Sequence, residues 1–246
     1  MNTSNLYKVE LYRFFQSLKL FVLFGVASVI VMVLISADTS VFETDVSYGN
    51  EIQTIFKMMG MFFCIVGAIG ISVYVGNEFK CKTIYHEIMR GYSSTKIALS
   101  KTISCGFIYS FILWSSVVLF LLMNPSYFNE FSIVRFLLIY IYMFHILSCT
   151  LLYVLLCKNG ATGGCLAFCR FVFFEVLISF FALLLPDDIL IWVKGFLTIS
   201  QWSYLTTISV EIPMACYVGV VFSTVLEYFI LIVILSINSR GRLLNE

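Results

Sequence analysis

The sequence predicts an all-α polytopic membrane protein with six transmembrane helices, on three observations. The 246-residue chain is 61% hydrophobic and only 12% charged, whereas soluble domains are nearer half apolar and a quarter charged. Its apolar residues gather in runs near the roughly 20 that a helix needs to cross a bilayer, not in the alternating ten-residue strands of a barrel. Its basic residues fall largely on one side of those runs, as the positive-inside rule requires. The parts between the runs are too short to fold alone, so residues 1–246 form a single transmembrane domain.

Residues 1–19 precede the first span. Leu11, Phe14, Phe15 and Leu18 form an i, i+3, i+4, i+7 stripe with Glu10, Arg13 and Ser17 opposite. That spacing predicts an amphipathic helix lying in the interface, or else an extension of the first span. The six spans are placed at Leu20–Ser36, Met58–Gly76, Ile97–Met123, Phe131–Leu156, Gly163–Leu185 and Ala215–Ile237.

Between the second and third spans, Glu78 to Lys101 carries five of the fifteen basic residues. A helix over Glu78–Arg90 would put Cys81, Ile84, Tyr85 and Ile88 on a face buried against an apolar surface. Phe79, Thr83, His86, Glu87 and Arg90 would face a partner below. Gly91 stands where a helix stop is expected, and Ser93-Ser94-Thr95 can cap the next helix. Gly160 to Cys165 reads as a tight turn between spans four and five. From Pro186 to Pro213 the apolar pieces are too short to span. They predict two short re-entrant helices in the outer leaflet, or a plain outer loop, with Trp192, Trp202 and Tyr204 at the headgroup level.

Loop charge sets the orientation. With both ends inside, the inner side holds eleven basic residues: Lys8, Arg13, Lys19, Lys80, Lys82, Arg90, Lys96, Lys101, Lys158, Arg240 and Arg242. The outer side holds three, Lys57, Arg135 and Lys194, among acids such as Asp38, Glu43, Asp187 and Glu211. The topology is N-in, C-in. A net charge of +1 carries no field for nucleic acid.

The residues that would make an enzyme are missing. There is no H-E-x-x-H, no G-x-S-x-G and no P-loop lysine motif, and the two histidines, His86 and His145, lie far apart in sequence. No metal site is expected, and His145 reads as a hydrogen-bonded core residue. The eight cysteines read as small packing residues. Any ATP the system uses must be hydrolysed by another polypeptide. Three ionisable residues fall inside the last two spans: Arg170, Glu175 and Glu227. Each costs about 3 kcal/mol on insertion scales, so each needs a partner or water. The depths favour an Arg170–Glu227 pair, with Glu175 facing a polar cavity or a second subunit. Such a pair either locks two helices together or touches substrate. An ion-coupled carrier would rest on Glu175 and Glu227.

Glu78-Phe79, Thr83-Ile84, Ile88, Gly91, Ser93-Ser94, Lys96, Leu99 and Lys101 resemble the loop after the second span of ABC-2 type transporter permeases. There the run reads roughly E-F-x-x-G-T-I, an apolar residue, Gly or Pro, Ser/Thr, a basic residue and S-K. Lys82 here replaces the usual glycine. The architecture is similar over nearly the whole chain. The resemblance implies a non-catalytic permease subunit of an ATP-driven exporter in the bacterial cytoplasmic membrane. It implies two partner ATPase subunits, which would bind ATP and Mg, and a second permease copy, identical or related. The chain itself would bind no cofactor. Glu78, Phe79, Thr83, His86, Glu87, Arg90 and Gly91 would form the coupling element in an ATPase groove. The similarity to small peptide and bacteriocin exporters implies an amphipathic or hydrophobic peptide as cargo, with a lipophilic drug or a lipid as the alternative.

Overall fold

The computed structural model describes residues 6–17, 22, 26, 30, 48–123, 128, 131–182, 184–207 and 211–243. The described residues form helices and the links between them, without strands. They are α1 (residues 6–17), α2 (Tyr48–Lys80), α3 (Thr83–Met89), α4 (Ser94–Met123), α5 (Ile133–Cys157), α6 (Gly160–Ala182), α7 (Asp187–Phe196), α8 (Thr198–Thr206) and α9 (Met214–Leu243). The predicted first span, Leu20–Ser36, lies almost wholly outside the described residues.

Four helices, Ser94–Met123, Ile133–Cys157, Gly160–Ala182 and Met214–Ile237, are long and apolar enough to cross a membrane. A multi-pass membrane protein fits them. The predicted second span, Met58–Gly76, falls inside α2. Two of the four helices contain a wider, π-wound stretch: Thr102–Gly106 in α4 and Cys169–Phe174 in α6. Such stretches add a residue to a turn and gather at functional sites.

α5 is the centre of the bundle. Of its apolar window 72% is buried, against 22% for α6 and 28% for α9. It packs on α2, α4, α6 and α9. Ile139, Met143, Ile146, Leu147 and Leu151 of α5 join Phe56, Ile71, Tyr109, Val117 and Phe120 in one core. α6 and α9 keep large apolar side chains outward, including Phe173, Phe180, Val225 and Phe229. Apolar surface on that scale suits lipid.

Local chemistry fixes the ends. Ser93 accepts a hydrogen bond from the Lys96 amide at 3.4 Å and starts α4. Gly91 ahead of it has φ 84°, the left-handed geometry at which glycine carries no side-chain clash. Asn159 accepts from the Ala161 amide at 2.9 Å and starts α6. The turn between α5 and α6 is therefore Lys158–Asn159, and Gly160 to Cys165 is the first part of a helix, not a turn. The capping amide starts the helix three residues before the apolar run reads as a span. The glycines then serve close packing: a Cβ on Gly160 would lie 2.9 Å from the Gly76 Cα of α2.

The segment after α6 folds as two short helices. α7 has Asp187 and Asp188 in its first turn and Lys194 in its last, the arrangement the helix dipole favours. α8 turns into the bundle. Trp202, expected at the headgroup level, is buried: its indole donates to the Phe56 carbonyl at 2.8 Å, and its ring lies 5.3 Å from Tyr142. An indole N–H drawn into a core needs such an acceptor. Trp192 remains half exposed.

Candidate functional site

The stretch from Glu78 to Arg90 is not one helix. α2 continues to Lys80, the chain turns at Cys81–Lys82, and α3 begins at Thr83. Lys82 makes the break with φ 57° and ψ 17°. The break rotates α3 relative to the helix expected from periodicity, and the faces change with it. Ile84 and Glu87 point inward, while Cys81, Tyr85 and Ile88, expected to be buried, are exposed. Met89 is 74% exposed at the tip. His86, Arg90 and Gly91 face outward, Thr83 is half-buried, and Phe79 packs beside the core with its ring 6.2 Å from Tyr85.

Glu78 and Glu87 are thus turned into the protein, where they join a chain of ion pairs built from four elements. Glu78 of α2 lies 2.5 Å from the Lys101 ammonium of α4. Lys101 donates to both oxygens of Glu10 in α1, at 2.9 and 2.8 Å. Arg13 of α1 lies 3.2 Å from Glu10 and also pairs with Glu87 of α3. The order is Glu78, Lys101, Glu10, Arg13, Glu87, with alternating sign. Glu10 and Lys101 have no exposed surface. Burial pushes the Glu87 carboxyl up to about 7, against the pull of Lys101.

This changes the reading of α1. Its inward face is Leu6, Glu10 and Phe14, four residues apart, with Phe14 against Tyr74 at 6.2 Å. Leu11 and Phe15 of the predicted stripe point outward, and Leu18 lies outside the described residues. Glu10, expected on the polar face opposite the stripe, points inward because its partner stands 91 residues away. Periodicity carries no signal for such a pair. The equal spacing of Leu6, Glu10 and Phe14 was the available clue.

A second centre lies in the bundle. Arg170 donates to Glu227 of α9 at 3.0 Å and to Glu175 at 3.1 Å. Arg170 and Glu175 are five residues apart. A regular helix would set them about 140° apart around its axis. The π-wound stretch Cys169–Phe174 closes that angle, so both reach one point. Glu175 does not face a cavity or a second subunit: it is fully buried and accepts the Ile199 amide of α8 at 2.7 Å. Two residues not foreseen there complete the set. His145 lies 3.2 Å from Glu227, and Tyr153 donates to its other oxygen at 3.1 Å. His145, Cys149 and Glu227 bring nitrogen, sulfur and oxygen within 4.8 Å of one another. The Glu227 oxygens are already occupied and a guanidinium stands beside them, so the set fits an ion-paired centre better than a metal.

Between α2 and α6 runs a cavity of about 620 Å³. Ile65, Ile69, Ala68 and Phe168 supply apolar walls, and Asn77 and Lys80 stand where α2 ends. No protein-family model and no curated protein matches this sequence.

Proposed function

We propose that this chain is the permease subunit of an ATP-driven exporter, with ATP hydrolysed by a separate subunit. In this reading the chain crosses the cell membrane six times, with both ends inside and α7 and α8 dipping into the outer leaflet. It works as two copies, or with a related permease, above two ATPase subunits that carry ATP and Mg.

The observation that carries the reading is the build of α3. Its tip offers Tyr85, Ile88 and Met89 together with His86 and Arg90, an apolar and basic surface on the predicted cytoplasmic side. Its root is tied by ion pairs to α1 and, through them, to α2 and α4. A short element with a free tip and a stiff root passes a push to the long helices. The left-handed Lys82 also occupies the position where the resembling permeases carry glycine, and that geometry is a physical reason for glycine there.

The cavity between α2 and α6 supports an amphipathic cargo, with apolar walls and a cationic end at Lys80. A hydrophobic or amphipathic peptide is the first choice; a lipophilic drug or a lipid would use the same path. An ion-coupled carrier is the second reading, favoured by the Arg170, Glu175 and Glu227 centre.

The test is purification from the native host. A soluble ATPase should come with the chain, and Met89→Asp or Arg90→Glu at the tip should release it. A chain that purifies without an ATPase, and transports only under an ion gradient, would replace this reading with the second.

A further inference from the structure

Among the described residues, the alternating chain of ions holds three carboxylates and two cations. With every group ionised one negative charge is left over, in a place where Glu10 and Lys101 have no exposed surface at all. An unbalanced charge in such surroundings is costly, and a proton on one carboxylate removes it.

Geometry selects which carboxylate. Glu10 sits in the middle, held by Lys101 on both oxygens and by Arg13. The Glu78 oxygens lack a hydrogen-bond partner, but Glu78 lies 2.5 Å from the fully buried Lys101 ammonium, which holds it ionised. The cation beside Glu87 is instead the part-exposed Arg13, which it shares with Glu10. Glu87 is at the other end, on the seven-residue α3, next to exposed His86 and Ile88. One of its oxygens, Oε2, is buried and has no hydrogen-bond partner, while the other meets Arg13. A proton on the unpartnered oxygen leaves the Arg13 contact in place. Exposed neighbours give that proton a short route to water. Among the described residues, the other titratable groups around the chain are Tyr74 on α2 and Cys105 on α4.

We propose that this chain of ions is a proton-operated latch: a proton on the Glu87 carboxyl keeps α1 and α3 docked, and its loss loosens them. The latch acts on the element that would meet a partner, yet it needs no partner to work. The sign follows from linkage. The docked state holds a proton that the undocked Glu87, at an ordinary carboxylate value, gives up earlier. Docking is therefore strongest in mild acid, weakens as pH rises from the ordinary carboxylate range to about 7, and levels off above it.

Hydrogen exchange on the full chain in lipid nanodiscs tests this without an ATPase. Protection of residues 6–17 and 83–89, corrected for intrinsic exchange, should fall by about tenfold or more from roughly pH 5 to 8. Glu87→Gln, which imitates the protonated acid, should hold high protection across the range. Equal protection at both ends of the range in the wild type would overturn the latch. So would Glu87→Gln following the wild-type profile, or Glu78→Gln abolishing the pH dependence in its place. If Glu87→Gln does not fold, infrared titration of the wild type gives the answer: a protonated carboxyl band lost near neutral pH supports the latch, and no such band overturns it. Failure of the exporter reading would leave these results unchanged.

Discussion

Lys82 shows how one backbone angle shapes the turn between α2 and α3. A non-glycine residue at φ 57° carries a steric cost of about 1 kcal/mol or more. Lys82→Gly removes that cost and should stabilise the α2–α3 link by up to about 1 kcal/mol, seen as a rise in thermal midpoint in detergent. Lys101 works in the opposite direction. It is fully buried between Glu10 and Glu78, so Lys101→Met strands two carboxylates. Loss of one partner of a buried pair costs about 3–5 kcal/mol. Lys101→Met should therefore lower the thermal midpoint far more than removal of the exposed Lys96. The additional change Glu10→Gln should recover part of the loss. If Lys101→Met and Lys96→Met behave alike, the ion chain is not what holds α1.

Among the elements, α7 and α9 depend on close approach. A Cβ on Gly219 would collide with the Gly195 carbonyl, and one on Gly195 would lie 2.5 Å from the Ala215 carbonyl. Gly219→Val should push α7 off α9 at a cost of about 1–3 kcal/mol, and protease should then cut between α6 and α9. The long helices were legible in the sequence because apolar runs of 20 residues are an unambiguous signal; α4, α5, α6 and α9 start and end close to their predicted limits. The polar centres were legible only in part. Arg170, Glu175 and Glu227 stood out as charges inside apolar runs. That Arg170 reaches both acids depends on a widened turn, and a reading at 3.6 residues per turn cannot foresee one. His145 reads only as a hydrogen-bonded core residue and Tyr153 does not stand out, because nothing in sequence says which face of α5 meets α9. Glu78 and Glu87 read as outward contacts, because a left-handed lysine is not expected from composition.

At the scale of the whole molecule, Arg170 joins α6 to α9 and to its own C-terminal half. Arg170→Met leaves two acids without their cation. It should disturb assembly more than Glu227→Gln, measured as the monodisperse fraction on size exclusion. Exchanging the charges of Arg170 and Glu227 should restore only part of the loss, since Glu175 would keep no cation. Accessibility labelling checks the orientation in which both centres are placed: Cys81, exposed at the α2–α3 turn, should react with impermeant reagents from the inner side alone.

The widened turn in α6 has one more effect, on the lipid-facing skin of the protein. Its additional residue phases the outward aromatics that follow it, Phe180 and Phe181. Deleting a single residue between Cys169 and Phe174 would rewind the helix and swing that aromatic ridge by about 100°. The chain would keep its composition and its hydropathy profile, yet show the bilayer a different flank.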